Sequence, residues 1–321
     1  MRSRRFIWLV GGLVAILALA FALQLTTASP ISRAQGSASR VVVDARGREV
    51  AVPAAPQRVV ALSEADLDAL LALGVRPAGT IQGRGQTGTP PRYLGERAAG
   101  IPLVGAVNAP NIEAILAVQP DLILAGNLAD EQVLAQLRLI APTVVTFQTD
   151  ENWRDAFRRV AQAVNREAEA QAILDAYEDR LAEVRATLGD RAQAEVSIVR
   201  WNPQGPVYML PGAFSSTVIA ELGLKRPAHQ QTGTGAGHSP TLSLEMLELL
   251  DADWIFVGTL AAEGEAVEAM KAVMATPAFQ QLKAVRQGHV TVVDGSLWSS
   301  AMGPLAAMAI LDDVEQALGS R

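Results

Sequence analysis

Cysteine is absent from the 321 residues. That absence removes disulfides, thiolate metal sites, cysteine nucleophiles and the lipidated cysteine that tethers many exported proteins. Histidine is scarce: His229, His238 and His289 are all there is, which without thiolates is too little for an ordinary transition-metal site. Basic residues are outnumbered, with 27 Lys+Arg against 33 Asp+Glu. Residues 1–34 hold four Arg and no acid, so removing them takes the formal charge from −6 to −10. Such a balance argues against nucleic acid or an anionic membrane surface as partner. Aromatics make up only 5 %, which suits closely packed Ala- and Leu-rich helices on a sheet.

What is present begins with a leader. Arg2, Arg4 and Arg5 precede an apolar run from Phe6 to Leu23, followed by a polar stretch with Pro30, Arg33 and Gly36. A basic front, an apolar middle and a small-residue exit describe an export signal. Ser32-Arg33-Ala34 offers a cut after Ala34, yet the run also reaches the roughly 18 apolar residues that span a bilayer. The expectation is a cleaved signal peptide or an N-terminal membrane anchor over 1–34, and a working part outside the cytoplasm that is not a cysteine-linked lipoprotein.

The remaining stretch of about 290 residues suits two domains. Val41 to Val52 reads as two short strands around a turn at Arg46-Gly47. Beyond it, short apolar runs alternate with amphipathic helices. Strands are predicted at 59–62, 78–81, 122–124 and 143–147, and helices at 65–73, 111–118 and 130–139. The alternation resumes with strands at 195–201, 207–209, 254–257 and 289–293 and helices at 214–222, 244–250, 271–275, 278–284 and 304–318. This is the α/β pattern of parallel sheets covered on both faces, which hold ligands at the carboxyl ends of their strands. No internal repeat is evident beyond that alternation.

Between the two series, Ile173, Leu174, Tyr177, Leu181, Val184 and Leu188 recur at helical spacing and stop at Gly189. A helix over 166–188 is about 35 Å long at 1.5 Å per residue. Periodicity alone fits a lobe connector and an ordinary surface helix equally.

Enzyme motifs fare poorly. Gly83-Arg84-Gly85-Gln86-Thr87-Gly88 spells G-x-G-x-x-G after a strand, but Thr89-Pro90-Pro91 follows and denies the pyrophosphate a helix amino terminus. It reads as a loop at a cleft rim. There is no P-loop and no G-x-S-x-G elbow, and Ser215 reads as the cap of the next helix.

Several phrases together carry a resemblance. Pro56-Gln57-Arg58-Val59-Val60-Ala61-Leu62 is followed by Leu70-Leu71-Ala72-Leu73-Gly74, and Asn111-Ile112-Glu113 leads to Pro120-Asp121-Leu122-Ile123-Leu124. Later come Ile219 to Pro227, Ser243-Leu244-Glu245 to Asp251-Ala252-Asp253-Trp254-Ile255-Phe256-Val257, and Pro277 to Gly288-His289-Val290. In this order the chain resembles the extracytoplasmic substrate-binding proteins of ABC importers for ferric siderophores, haem and cobalamin. The resemblance implies two Rossmann-like α/β lobes, 35–165 and 190–321, joined by one long helix over 166–189, with the ligand cleft between them. It also implies a monomer that delivers a metal chelate to a membrane permease dimer, with no catalysis and no cofactor of its own. By motif position Glu113 and Glu245 dock on the permease, although each carboxylate also gains roughly 0.3 to 1 kcal/mol at a helix amino terminus.

A ferric siderophore brings its own iron ligands, so the protein needs guanidinium donors and flat aromatic walls. Arg200 stands where many siderophore binders carry an arginine, with Trp201 beside it. Tyr208 and Trp298 are candidate walls, Arg84 a candidate from the first lobe, and His238 a contact from the glycine-rich 232–239 loop. Gly105-Ala106-Val107-Asn108 departs from hydroxamate binders, some of which have an arginine there. A ferric siderophore is the expected ligand, with cobalamin or haem as the alternative and a secreted hydrolase as a remote one.

Overall fold

The computed structural model describes residues 38–232 and 237–319; the leader lies outside them. An antiparallel hairpin, β1 (Ser39–Val43) and β2 (Glu49–Pro53), comes first. Then follow β3 (Val59–Ala61), α1 (Glu64–Ala72), β4 (Gly79–Thr80), a second small hairpin of β5 (Gly105–Ala106) and β6 (Ala109–Pro110), α2 (Ile112–Ala117), β7 (Leu122–Leu124), α3 (Glu131–Ile140) and β8 (Thr143–Val144). Strands β4, β3, β7 and β8 form one parallel sheet in that order. Both of their faces are buried. Val59, Ala61, Leu122 and Leu124 point into one apolar cluster, while Val60 and Ile123 point into the other, as a two-residue period requires.

Helix α4 (Trp153–Val164) ends where Asn165 turns left-handed at φ +58°, and α5 (Glu167–Leu188) follows at once. Its 22 residues span about 33 Å. Ala170, Leu174, Tyr177, Leu181, Val184 and Leu188 are its buried stripe. Both lobes grip this helix. From α4, Arg154 bonds Glu178 on α5 and Glu221 beyond it, and Trp153 meets the Tyr177 ring edge-on at 5.3 Å.

The second lobe contains β9 (Val196–Asn202), β10 (Gly205–Tyr208), α6 (Phe214–Glu221), β11 (Trp254–Thr259), α7 (Glu265–Met274), α8 (Pro277–Gln280), α9 (Lys283–Arg286), β12 (Val290–Val292), α10 (Gly295–Ser300) and α11 (Pro304–Val314). Its sheet runs β10-β9-β11-β12, with β10 antiparallel to β9 and the rest parallel. Each lobe therefore places its second strand on one side of the first and its third and fourth on the other. In the all-parallel first lobe the chain reverses direction across the sheet at β3, which opens a crevice at its carboxyl end; in the second lobe β10 returns beside β9 as a hairpin.

Three local readings change. The helix expected over 244–250 is a 3₁₀ stretch kinked at Met246. Residues 295–300, expected as loop, form α10, which lies directly on β11 because Gly258 and Gly295 face each other; a Cβ on Gly295 would sit 2.5 Å from the Thr259 nitrogen. The last helix ends at Val314 and widens into a π turn over Glu315–Gly319.

Candidate functional site

The two lobes together line a cavity of about 290 Å³. The first lobe supplies Ser63 and Glu64 after β3, Arg84 after β4, Asn127 after β7 and Phe147 after β8. The second supplies Met209, Phe214 and Ser215 near α6, and Trp298 to Met302 from α10 and the turn after it.

Arg84 is exposed at the cleft rim. Arg200, near the carboxyl end of β9, stands close to it rather than in the cavity wall itself; it is only 8 % exposed, and its Nε has no hydrogen-bond partner. Burial lowers the Arg200 pKa, and the positive charge of Arg84 lowers it further, so the two guanidiniums are close enough to repel. Neither forms a salt bridge among the described residues.

The other predicted contacts sort by strand geometry. Trp201 follows Arg200 on β9 and so points to the opposite face. It is 1 % exposed, packed with Val199, Leu247 and Ile255. The expectation that Arg200 and Trp201 share the cleft is therefore corrected. Tyr208 pairs with Val199, so it joins that same outer cluster and meets His229 edge-on at 5.8 Å. Trp298 does line the cavity, but as part of its floor: it stacks on Phe256 at 4.4 Å and donates from Nε1 to Asp313 at 2.7 Å. His238 is half-buried, outside the cavity lining, and donates from Nδ1 to the Ser239 carbonyl at 2.7 Å; its neighbour Gly237 lines the cavity. His229 and His289 likewise donate to backbone carbonyls, and no group of three metal-ligating residues occurs among the described residues. Glu113 and Glu245 lie away from the cavity, one per lobe, both exposed in a first helical turn.

Ser215 does not cap α6. Ala213 holds that position, and the Ser215 hydroxyl is buried at the cavity wall without a partner. The Gly83–Gly88 loop does stand at the rim, where Gly85 abuts Leu260 of the other lobe.

What the sequence reading missed is the run of acids Glu64, Asp66 and Asp68 at the start of α1, all buried. Acids two apart on a helix are about 200° apart, so they cannot share one solvent face, and that spacing was a usable signal. Each takes a different environment. Glu64 reaches the cavity and accepts the Arg84 backbone N–H at 2.7 Å; burial raises its pKa, opposed by that bond and by the Arg84 charge. Asp66 accepts the Thr146 hydroxyl, while its Oδ2 has no partner. Asp68 crosses to the other lobe and caps α11, accepting the backbone N–H groups of Leu305 and Ala306, each at 2.9 Å, and the Tyr93 hydroxyl at 2.8 Å.

Burial pushes the Asp66 pKa up to about 6 from 3.8. The folded protein therefore takes up a proton as pH falls through about 6, whereas the unfolded chain does so nearer 3.8. Stability should rise between about pH 8 and pH 5, by on the order of 1 kcal/mol from this group. Glu64, Asp68 and Asp313 are shifted in the same direction. Thermal melts at the two ends of that range measure the slope, which Asp66→Asn should reduce.

The sequence profile of the periplasmic binding protein family matches residues 59–297. The chain belongs to that family. Its members are the substrate-binding components of ABC importers and work outside the cytoplasm. A probable siderophore-binding lipoprotein of Bacillus subtilis, YfiY, is 32 % identical over 310 residues, covering 94 % of each chain. The achromobactin-binding periplasmic protein of Dickeya dadantii is 30 % identical over 269 residues, 82 % of this chain and 87 % of that one. Among solved structures, Staphylococcus aureus SirA complexed with staphyloferrin B superposes with a TM-score of 0.74 at 26 % identity, over 87 % of this chain and 98 % of that chain. The two-lobed α/β architecture with its helical connector is the fold of this siderophore-binding class. One difference stands out: the Bacillus relative is named a lipoprotein, whereas these 321 residues contain no cysteine.

Proposed function

We propose that this protein captures a ferric siderophore outside the cytoplasm and, as a monomer, hands it to the permease dimer of an ABC importer, binding it without chemistry. The observation that carries this reading is the neighbouring pair of Arg84, at the rim of the inter-lobe cavity, and Arg200, whose buried Nε lacks a partner. Two guanidiniums held close together, with only the neighbouring Glu64 carboxylate partly opposing Arg84, form a receptor for an anionic ligand. The names of the relatives supply the ligand class. Glu113 and Glu245, exposed on separate lobes, serve as the permease contacts, and the leader is either cut after Ala34 on export or kept as an anchor that does the work a lipidated cysteine does elsewhere. Cobalamin and haem find less support, since none of the three histidines lines the cavity.

Trp298 in the cavity floor provides the readout. Titration with ferric siderophores should quench tryptophan fluorescence at sub-micromolar concentration. Changing Arg200 to Ala should weaken binding by roughly 1.5 to 3 kcal/mol, the range for a charge-assisted contact, while circular dichroism stays unchanged. Equal affinities for the two proteins would remove Arg200 from the site.

A further inference from the structure

Nothing in the capture of an anionic chelate by arginines calls for a carboxylate in the same cavity, yet Glu64 is there. It is 7 % exposed and belongs to the cavity wall. Its Oε1 accepts the Arg84 backbone N–H. Ser300 of the other lobe also acts on it as a hydrogen-bond neighbour that lowers its pKa, while bonding the Ser296 carbonyl at 2.9 Å, so at most two donors meet a carboxylate with about four acceptor sites. The carboxylate therefore keeps acceptor capacity for whatever fills the cavity. The buried Ser215 hydroxyl, on the second-lobe wall, has no partner.

The cavity thus sets unlike groups side by side. Arg84 and Arg200 favour anionic oxygen, while the Glu64 carboxylate, held on the Arg84 backbone N–H, accepts a donor and repels anionic oxygen. A like charge pressed against a buried carboxylate is penalised heavily, whereas an ammonium, amide N–H or hydroxyl gains a charge-assisted bond. Specificity from an unfavourable contact is as effective as specificity from a favourable one. We infer that Glu64 is the specificity-determining residue of this cleft, admitting ferric chelates that present a hydrogen-bond donor beside their anionic edge and rejecting those whose outer surface is anionic oxygen throughout.

The inference rests on the ferric-siderophore reading, and the test separates the two. The full chain and its Glu64→Gln variant are titrated by tryptophan fluorescence with ferric citrate, whose outer groups are carboxylates, and with ferric aerobactin, which carries carboxylates together with amide N–H groups. Glutamine keeps the shape and an acceptor for the Arg84 N–H but removes the charge. Ferric citrate should bind the variant at least tenfold more tightly than the wild type, while ferric aerobactin should bind it three- to tenfold more weakly. Glu64→Asp, which retains the charge, should preserve the wild-type order of the two chelates. Binding of either chelate by the wild type with the ratio unaltered in Glu64→Gln overturns the role of Glu64 and leaves the siderophore reading intact. Failure of both chelates and of a wider siderophore panel to bind the wild type overturns the siderophore reading and the inference with it.

Discussion

With Glu113 and Glu245 both changed to Lys, uptake of the ferric chelate by cells relying on this importer should fall to background, while the purified protein binds its ligand with unchanged affinity. The separation of the two effects follows from position. Glu113 follows the Asn111 cap of α2, where the Asn111 side chain already accepts the Ala114 N–H at 3.0 Å. Glu245 occupies the equivalent turn after Ser243 in the second lobe. Neither lines the cavity nor forms a salt bridge among the described residues. Their loss costs the fold little, since a charge at a helix amino terminus contributes roughly 0.3 to 1 kcal/mol. In the proposed docking, each reversal turns an attraction to a cationic permease surface into a repulsion, and truncating one partner of a hydrogen-bonded interfacial charge pair already costs about 2 to 5 kcal/mol. Two reversals in one rigid body should therefore leave no productive complex. Transport assays beside fluorescence titration decide the matter, and normal uptake by the double variant would end the docking assignment.

Asp68→Ala should cause the largest loss of stability of any single change considered. Asp68 is fully buried and satisfies three donors at once: two backbone N–H groups at the start of α11 and the Tyr93 hydroxyl. Alanine leaves all three without a partner inside the protein. At about 1 to 3 kcal/mol for each stranded donor, offset by relief of burying the acid itself, the net loss should be about 3 to 5 kcal/mol. For a protein of this size the melting temperature should drop by roughly 10 °C. Asp68→Asn, which keeps one carbonyl acceptor, should fall between. A melting temperature for Asp68→Ala within about 2 °C of the wild type, less than 1 kcal/mol produces in a protein of this size, would show that water replaces the carboxylate and that α11 is held by packing alone. Gly303 tests the same joint from the other side: its φ is +142°, and a Cβ added there would lie 2.3 Å from Asp68 Oδ1, which leaves no room for alanine.

Most of the architecture was legible because it follows from periodicity. The stripe on α5 and the buried runs that became β3, β7, β9 and β11 are dictated by burial on one face or on both. Short elements with weak periodicity were not. α10 is six residues of Gly, Ser, Leu and Trp; the Asp294 cap before it is a local signal, but without an apolar stripe it marks no helix by itself, and the packing on β11 is not local information. The candidate site was legible in part. Arg84 and Arg200 come together in space, but pairing Arg200 with Trp201 overlooked the alternation of side chains along a strand, and the same rule carries Tyr208 outward with Val199. The acids of α1 were passed over because acidic residues at a helix start have an ordinary explanation in the helix dipole, and burial of a side chain is a property of its neighbours.

Those acids have a mechanical consequence. Glu64 and Asp68 are four residues apart, about 6 Å along the axis of α1, and a closely packed helix transmits strain rather than absorbing it. A ligand that tugs on Glu64 therefore pulls, through a stiff rod barely one turn long, on the first peptide groups of α11. Helix α11 is in turn tied by Asp312, and the π turn beyond it by Glu315, to Arg180 midway along α5. The cleft wall and the connecting helix are thus joined by an unbroken series of contacts through α1 and α11.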